Sequence, residues 1–345
     1  MSKIKYSVST ATSVVVANMI GTGVFTCLGF QLLDISDYSA IISLWIIGGV
    51  VALCGAFCYA ELGSIYPQSG GDYTLLSSVY NPFVGYLSGW ISSTIGFAAP
   101  IALAAFSLGA YLHSVIPNSN ALYTASIVII GVSVLQSFHL HIGGRFQKIV
   151  TLLKVVLVVL FIVLGVFFTP YTKNFQMSFS SSTMESILSW PFAAAMFWVS
   201  FAYSGWNAAS YIAGEMNQPS KNLPKALILG TLLVTVLYVS LNFVFLKVAP
   251  FEELVVRFTE NGPENIDTGN VAGKYVFESM GGAKLVGLFI SILLISSISA
   301  MIIAGPRVIS AMGNDHFIFK VFSKKNTGGS PVFAIWLQTF LALVI

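Results

Sequence analysis

Residues 8–33 read VSTATSVVVANMIGTGVFTCLGFQLL, an uncharged and mostly apolar run with two glycines near its middle. A bilayer core needs about 20 predominantly apolar residues per helix, and this run supplies them. Gly21 and Gly23 flank Thr22, and each glycine costs up to about 1 kcal/mol in a helix interior relative to alanine. The stretch therefore predicts a membrane-spanning helix that is interrupted close to its midpoint.

The composition of the whole chain also indicates a membrane protein. Of 345 residues, 56% are apolar and 8% are charged, whereas soluble domains carry roughly 25% charged residues. The net charge of +3 is too small and too dispersed to suggest a nucleic-acid partner. The three cysteines and four histidines form no metal-ligand or catalytic set at a recognisable spacing, so we predict no metal, no cofactor and no enzyme activity.

Apolar stretches of spanning length recur eight times, and a partial ninth runs from Pro331 to Ile345. The eight stretches cover residues 8–31, 40–62, 83–116, 121–138, 149–169, 190–213, 224–248 and 283–311. Pro100 predicts a kink in the third stretch, and Gly143-Gly144 predicts a turn ahead of the fifth. The expected architecture is an all-α membrane protein with a single transmembrane domain over residues 1–345.

The distribution of basic residues predicts the orientation of the chain in the membrane. With a cytoplasmic N-terminus, eleven of the 16 Lys and Arg residues fall in cytoplasmic segments or near cytoplasmic helix ends. We therefore expect a multi-pass protein of the cytoplasmic (inner) cell membrane with its N-terminus in the cytoplasm.

The sixth apolar stretch carries a second interruption, Ser204-Gly205-Trp206-Asn207, again in mid-run. Close packing between helices explains an isolated glycine pair, but matching breaks in the first and sixth spans are typical of transporters with inverted repeats. An unwound turn at the membrane midplane frees backbone N–H and C=O groups, which are tolerated there only beside a cavity or a ligand. The free N–H groups suit a carboxylate and the free carbonyls suit an ammonium, so the pattern predicts a zwitterionic ligand.

Four stretches resemble the amino acid–polyamine–organocation permeases, and among these the bacterial relatives of the L-type amino acid transporters. They are Ile20-Gly21-Thr22-Gly23-Val24-Phe25; Ala60-Glu61-Leu62 through Pro67 and Ser69-Gly70-Gly71-Asp72-Tyr73; Phe201-Ala202-Tyr203-Ser204-Gly205-Trp206-Asn207 with Glu215, Asn217, Pro219, Asn222 and Pro224; and Arg307-Val308 with Ala311-Met312 and Asp315. The likeness covers essentially the whole chain.

The resemblance implies the leucine-transporter-type bundle, in which two inverted repeats each contribute a discontinuous helix, here the first and the sixth. The first repeat would cover about residues 8–169 and the second about residues 190–345. The second repeat stops in its ninth span, so we expect either a fragment or a truncated product, with eight full spanning helices and a partial ninth.

The resemblance also assigns the groups that meet the substrate. The carboxylate would bind the backbone N–H groups of Gly21, Thr22 and Gly23. The ammonium would bind backbone carbonyls, which are those of Met19, Ile20, Phe201, Ala202 and Ser204.

Three side chains of the second half complete this implied site. Phe201 resembles the aromatic gate of the family, and Asn207 would hold the unwound segment around Gly205 by hydrogen bonding. Tyr238 matches a position where related permeases place a hydroxyl near the site. Ordinary helix packing remains the alternative for Asn207 and Tyr238.

Lys154 is the one charged residue well inside a predicted span, where a charge costs roughly 2.5–3.5 kcal/mol on insertion scales. One interpretation is that its side chain snorkels to the cytoplasmic interface. In similar sodium-independent permeases a lysine of the fifth helix replaces a sodium ion, and the resemblance puts Lys154 in that place. There it would either exchange protons during transport or stay charged as a fixed strut.

We therefore predict a secondary amino acid transporter that works by alternating access, takes neutral L-amino acids and needs no sodium. Proton symport and exchange both stay open, so the proton is a candidate partner beside the amino acid and the lipid bilayer. No obligate protein partner and no nucleic acid are expected. The alternatives are a polyamine or cationic amino acid antiporter, and a truncated sensor or remnant that does not transport.

Overall fold

The computed structural model describes residues 5–170, 172, 175, 177–259, 262–264, 267–278 and 282–345, so the first four residues of the predicted domain lie outside the described part. The α-helices are α1 Val8–Met19, α2 Gly23–Gln31, α3 Tyr38–Ile65, α4 Asp72–Val79, α5 Pro82–Ile91, α6 Ala99–Val115, α7 Ala121–Phe138, α8 Leu140–Phe167, α9 Ser181–Ile187, α10 Trp190–Tyr203, α11 Pro219–Val248, α12 Phe251–Leu254, α13 Thr268–Val276, α14 Gly282–Asp315 and α15 Val332–Val344. A π-helical turn, Ser92–Ala98, joins α5 to α6, and two 3₁₀ helices cover Ala208–Glu215 and Phe317–Ser323. A small antiparallel hairpin, β1 Arg257–Thr259 and β2 Gly262–Glu264, lies between α12 and α13.

The predicted all-α membrane architecture is confirmed. Among the described residues, seven helices or joined helices are long and apolar enough to cross a bilayer, and an eighth span results if the bent pair Ser181–Ile187 and Trp190–Glu215 crosses as one. The last apolar helix, Val332–Val344, is shorter.

The first span lies at the centre of the bundle. α1 contacts α8, α11 and α14, and seven of its residues are buried. Ser7 starts this helix, because its hydroxyl accepts the backbone N–H of Thr10 and satisfies one of the first free donors. The interruption at its end therefore faces other helices rather than lipid.

The third span absorbs its proline through the π-helical turn 92–98. Pro100 occupies the first turn of α6, immediately after the widened turn. A proline has no N–H, and its ring collides with the carbonyl one turn earlier, so a local change of helical pitch relieves the conflict. The distortion is thus at the place where the proline predicts a kink.

The prediction of a turn at Gly143-Gly144 is wrong. Both glycines lie inside α8, which begins at Leu140, nine residues before the start of the predicted stretch at residue 149. A Cβ on Gly144 would lie 2.9 Å from the ring of Tyr6, and one on Gly143 would overlap Gln136. These glycines therefore allow close packing against their neighbours and do not end the helix.

We call one end of the bundle the amino-terminal face, because it carries the start of α1 together with the ends of α3 and α14. Two hydrogen bonds link segments at this face: the Tyr6 N–H, just before α1, donates to the carbonyl of Glu215 in the 3₁₀ helix 208–215 at 2.7 Å, and the Tyr73 hydroxyl of α4 donates to Asp315 at the end of α14 at 2.7 Å. The other end, where α2 finishes and α13 lies, is called the opposite face.

Candidate functional site

The first break exposes backbone donors at the start of α2. α1 ends at Met19 and α2 begins at Gly23. The Gly21 N–H donates to the Met19 carbonyl at 2.9 Å, whereas no hydrogen bond in the described part of the chain uses the N–H of Thr22, Gly23 or Val24. Free N–H groups and the positive end of the helix dipole point the same way at a helix N-terminus, which suits an anion.

The carbonyl side of the same break is already occupied. The Met19 oxygen accepts the Tyr238 hydroxyl at 2.5 Å in addition to the Gly21 N–H. The Ile20 oxygen accepts Lys154 Nζ at 2.6 Å and the Ser297 hydroxyl at 2.8 Å. Because a carbonyl oxygen has two lone pairs, neither oxygen retains an acceptor site for a ligand.

Lys154 is fully buried and does not snorkel. Its ammonium donates to the carbonyls of Ala17 at 3.2 Å and Ile20 at 2.6 Å, and to the Ser297 hydroxyl at 2.7 Å. These three acceptors use all three of its protons. The side chain of α8 therefore ties the end of α1 to α14.

The second break follows α10, which ends at Tyr203. Gly205 has a φ of +96°, and a Cβ at this position would lie 3.1 Å from atoms of Asn18. The left-handed backbone and the close approach both favour glycine here. The Ser204 N–H donates to the Phe201 carbonyl at 3.1 Å, so the chain turns tightly before the 3₁₀ helix 208–215 begins.

The two breaks lie against each other. A Cβ on Gly23 would lie 3.0 Å from the Ala202 Cα and 3.5 Å from the Phe201 ring. Tyr238 bridges them, since its hydroxyl also lies 3.1 Å from the Ala202 carbonyl. The Phe201 side chain is half-exposed, and its ring lies beside Gly23 of the first break.

Asn207 lies apart from the first break, in a cluster around Asp72 at the amino-terminal face. Its Nδ2 donates to Asp72 at 3.2 Å, and the hydroxyls of Tyr59 and Tyr211 donate to the same carboxylate at 2.7 and 2.8 Å. Asn207 thus ties the start of the 3₁₀ helix 208–215 to α4. Asp72 belongs to one of the four stretches that resemble the permeases, but no local pattern in the sequence indicates its three hydrogen-bond partners.

A buried ion cluster around Glu215 holds the other end of the same 3₁₀ helix. Glu215 accepts from Arg307 at 3.0 Å and from Lys325 at 2.7 Å. The Arg307 guanidinium also donates to the Tyr6 hydroxyl at 3.4 Å. Burial is the main cause that raises the pKa of Tyr6, which keeps this hydroxyl protonated. In the sequence Glu215 is only one residue of a stretch that resembles the permeases, because its partners Arg307 and Lys325 come from distant segments.

The chain is similar in sequence to proteins of one known family. The family model described as amino acid permease matches residues 6–345. The serine/threonine exchanger SteT of Bacillus subtilis (strain 168) is 31% identical over 344 residues, covering 97% of this chain and 74% of SteT. The human b(0,+)-type amino acid transporter 1 is 31% identical over 252 residues, covering 70% of this chain and 51% of that protein.

A further relative, the rat large neutral amino acids transporter small subunit 2, is 30% identical over 258 residues, covering 71% of this chain and 48% of that protein. The chain therefore spans about three quarters of the length of SteT and about half of the length of the two mammalian relatives. The family and these relatives are transporters and not enzymes, as the sequence predicts.

Proposed function

The chain belongs to the amino acid permease family, and from that premise we propose that it carries amino acids across the cytoplasmic membrane by alternating access. The observation that carries the proposal is the pair of helix breaks in contact, with unused backbone donors on one side and unused carbonyl capacity on the other. Two inverted repeats, about 8–169 and about 190–345, would supply one break each. The N-terminus would lie in the cytoplasm.

The substrate carboxylate binds at the start of α2. The N–H groups of Thr22, Gly23 and Val24 are its donors, because none of them bonds to any described residue and each lies at the positive end of the helix dipole. The Gly21 N–H contributes less than the resemblance implies, since it already bonds to Met19.

The substrate ammonium binds on the second break. The carbonyls of Phe201 and Ala202 each carry one hydrogen bond at the break, and no hydrogen bond in the described chain uses the Ser204 carbonyl. The Met19 and Ile20 carbonyls instead fix the shape of the first break through Tyr238, Lys154 and Ser297. A ligand that joins the two breaks favours their closure against the remaining helices.

The preferred substrate is a small or medium neutral L-amino acid. Among the described residues, no carboxylate bonds to the backbone groups assigned to the substrate, and Asp72 beside the second break already accepts from Asn207, Tyr59 and Tyr211. A cationic side chain or a polyamine calls for a carboxylate of its own at membrane depth. SteT is named as an exchanger of serine and threonine, and small hydroxylated amino acids are accordingly the first candidates here.

Transport needs no sodium. The Lys154 ammonium supplies a fixed positive charge between α1, α8 and α14 and uses the acceptors that a bound cation would otherwise take. The coupled process is then exchange of amino acids or symport with protons.

Uptake into proteoliposomes tests this function. The purified protein is reconstituted with internal serine, and the entry of labelled serine, leucine, arginine and putrescine is measured in sodium and in choline buffers. We expect serine uptake in both buffers and little uptake of putrescine. Putrescine uptake without serine uptake contradicts the substrate assignment, sodium-dependent uptake contradicts the coupling, and binding of serine without any flux favours a sensor.

A further inference from the structure

The segment between α14 and α15 presents apolar and basic side chains at the amino-terminal face. Phe317 and Ile318 on the 3₁₀ helix 317–323 are 88% and 83% exposed. Lys320 and Lys324 are exposed beside them, and residues 316–345 contain no Asp or Glu. We propose that this segment, residues 316–325, binds the headgroups of anionic phospholipids and through Lys325 sets the strength of the Glu215 ion cluster.

The segment is held rigidly, so its exposed side is defined. The ring of Phe319 packs against Trp90 at a centroid distance of 5.7 Å, and His316 packs against Tyr86 at 5.3 Å. A Cβ on Gly313 would lie 2.5 Å from the Phe319 carbonyl, which shows how closely the segment folds back on α14. With this side fixed to α5 and α14, Phe317 and Ile318 point away from the protein.

The other end of the connection is anchored as well. Asn326 Nδ2 donates to the carbonyls of Ser137 at 2.7 Å and Phe138 at 3.0 Å, where α7 finishes. The segment directly follows the spanning helix α14, which ends at Asp315. Its exposed aromatic and aliphatic side chains therefore lie at the depth where a bilayer changes from acyl chains to headgroups.

The occupant follows from charge complementarity. Three lysines lie within six residues, at positions 320, 324 and 325, and each lysine near an anionic surface contributes about 1 kcal/mol. Exposed apolar side chains next to a basic cluster match the acyl region and the anionic headgroup of a phospholipid together. A soluble anion satisfies only the lysines and leaves Phe317 and Ile318 in water.

Lys325 connects this surface to the permease machinery. Its ammonium lies 2.7 Å from Glu215 Oε1 and is 43% exposed, so a headgroup phosphate can compete for it. Glu215 is the last residue of the 3₁₀ helix that follows the second break. Of the two cations that pair with Glu215, Lys325 is more exposed than Arg307. Anionic lipid that draws Lys325 away therefore weakens the hold on that helix and speeds its movement.

Lipid binding is tested first, by native mass spectrometry of the detergent-purified protein with phosphatidylglycerol or phosphatidylcholine added. We expect phosphatidylglycerol adducts on the wild type and about fivefold weaker binding per lysine removed in Lys320→Gln/Lys324→Gln, the change that corresponds to about 1 kcal/mol per lysine. The control is Lys274→Gln, which removes an exposed charge from α13 at the opposite face. Equal losses in the control and the double variant overturn the proposed surface, as does equal binding of both lipids. Inorganic phosphate that displaces phosphatidylglycerol shows a simple anion site and also overturns it.

The link to Glu215 is tested by flux in vesicles of phosphatidylcholine alone or mixed with phosphatidylglycerol. We expect the mixed vesicles to raise exchange by wild type several-fold, and Lys325→Gln to exchange at one rate in both lipids while it still binds phosphatidylglycerol through the remaining lysines. A lipid response that persists in Lys325→Gln overturns the link, as does a wild type that ignores the lipid. If no variant transports at all, the proposed function fails, and the binding measurement still decides whether the surface exists.

Discussion

Tyr238 on α11 and Met19 at the end of α1 are joined by a 2.5 Å hydrogen bond from the phenol to the backbone carbonyl, across 219 positions of sequence. The same hydroxyl lies 3.1 Å from the Ala202 carbonyl, and the Tyr238 side chain is fully buried. One side chain outside both breaks thus fixes the distance between them. The relationship explains how two unwound turns keep a defined shape in a membrane interior.

Replacing Tyr238 with phenylalanine is expected to loosen both breaks without unfolding the protein. The ring still fills its site, but the Met19 and Ala202 carbonyls lose a donor, which costs about 1 kcal/mol. We expect roughly fivefold weaker amino acid binding, measured by titration of the purified protein, and a nearly unchanged melting temperature. Tyr80→Phe, at an exposed position, is the control. Unchanged binding in Tyr238→Phe contradicts a role for this hydroxyl at the site.

Alanine at the two glycines of the first break is expected to separate their roles. A Cβ at position 23 meets the Ala202 backbone at 3.0 Å, so Gly23→Ala forces the breaks apart. A Cβ at position 21 would have no atom within 4 Å apart from its own chain neighbours, so Gly21→Ala is expected to bind and transport nearly as wild type does. Overpacking typically costs 1–3 kcal/mol, and we expect at least about tenfold lower serine uptake for Gly23→Ala. Equal activity of the two variants contradicts the contact between the breaks.

The position of the first break was predictable because Gly21 and Gly23 interrupt a run that otherwise favours a helix. The occupancy of its carbonyls was not, because the donors come from Lys154, Tyr238 and Ser297 on three other helices. The resemblance therefore assigns the Met19 and Ile20 carbonyls to a ligand, whereas the fold gives them protein donors.

Glycines were misleading where packing decided the structure. Gly143 and Gly144 predict a turn from local preference alone, yet they remain helical because α8 packs closely on Tyr6 and Gln136. The partners of Glu215 were equally hidden, since Arg307 and Lys325 follow it by 92 and 110 positions. Contacts at such separations depend on the whole topology and leave no local pattern.

Methionine at position 154 is expected to impair transport while the helices stay assembled. Met is a similar length but donates nothing, so the Ala17 carbonyl loses its lysine and the Ile20 carbonyl retains only Ser297. Hydrogen bonds to charged groups contribute about 1.5–3 kcal/mol, and we expect at least about tenfold slower exchange. Lys274→Met at an exposed site of the opposite face is the control. Exchange by Lys154→Met at the wild-type rate refutes a role of the ammonium in holding α1.

The two ion pairs of Glu215, with Arg307 and with Lys325, are expected to differ greatly in their contribution to stability. Arg307 is 2% exposed, so removing the carboxylate with Glu215→Gln leaves a buried guanidinium without its anion, which costs about 3–5 kcal/mol. Lys325 is 43% exposed and can return to water, so Lys325→Gln is expected to cost at most about 1 kcal/mol. Thermal unfolding in detergent, followed by size-exclusion chromatography, measures both changes. The double variant Glu215→Gln/Arg307→Met removes the stranded charge and is expected to recover part of the loss. A double variant that melts below Glu215→Gln alone shows instead that Arg307 stabilises the face through contacts other than this carboxylate, and the cluster would then not be the unit that holds the 3₁₀ helix 208–215.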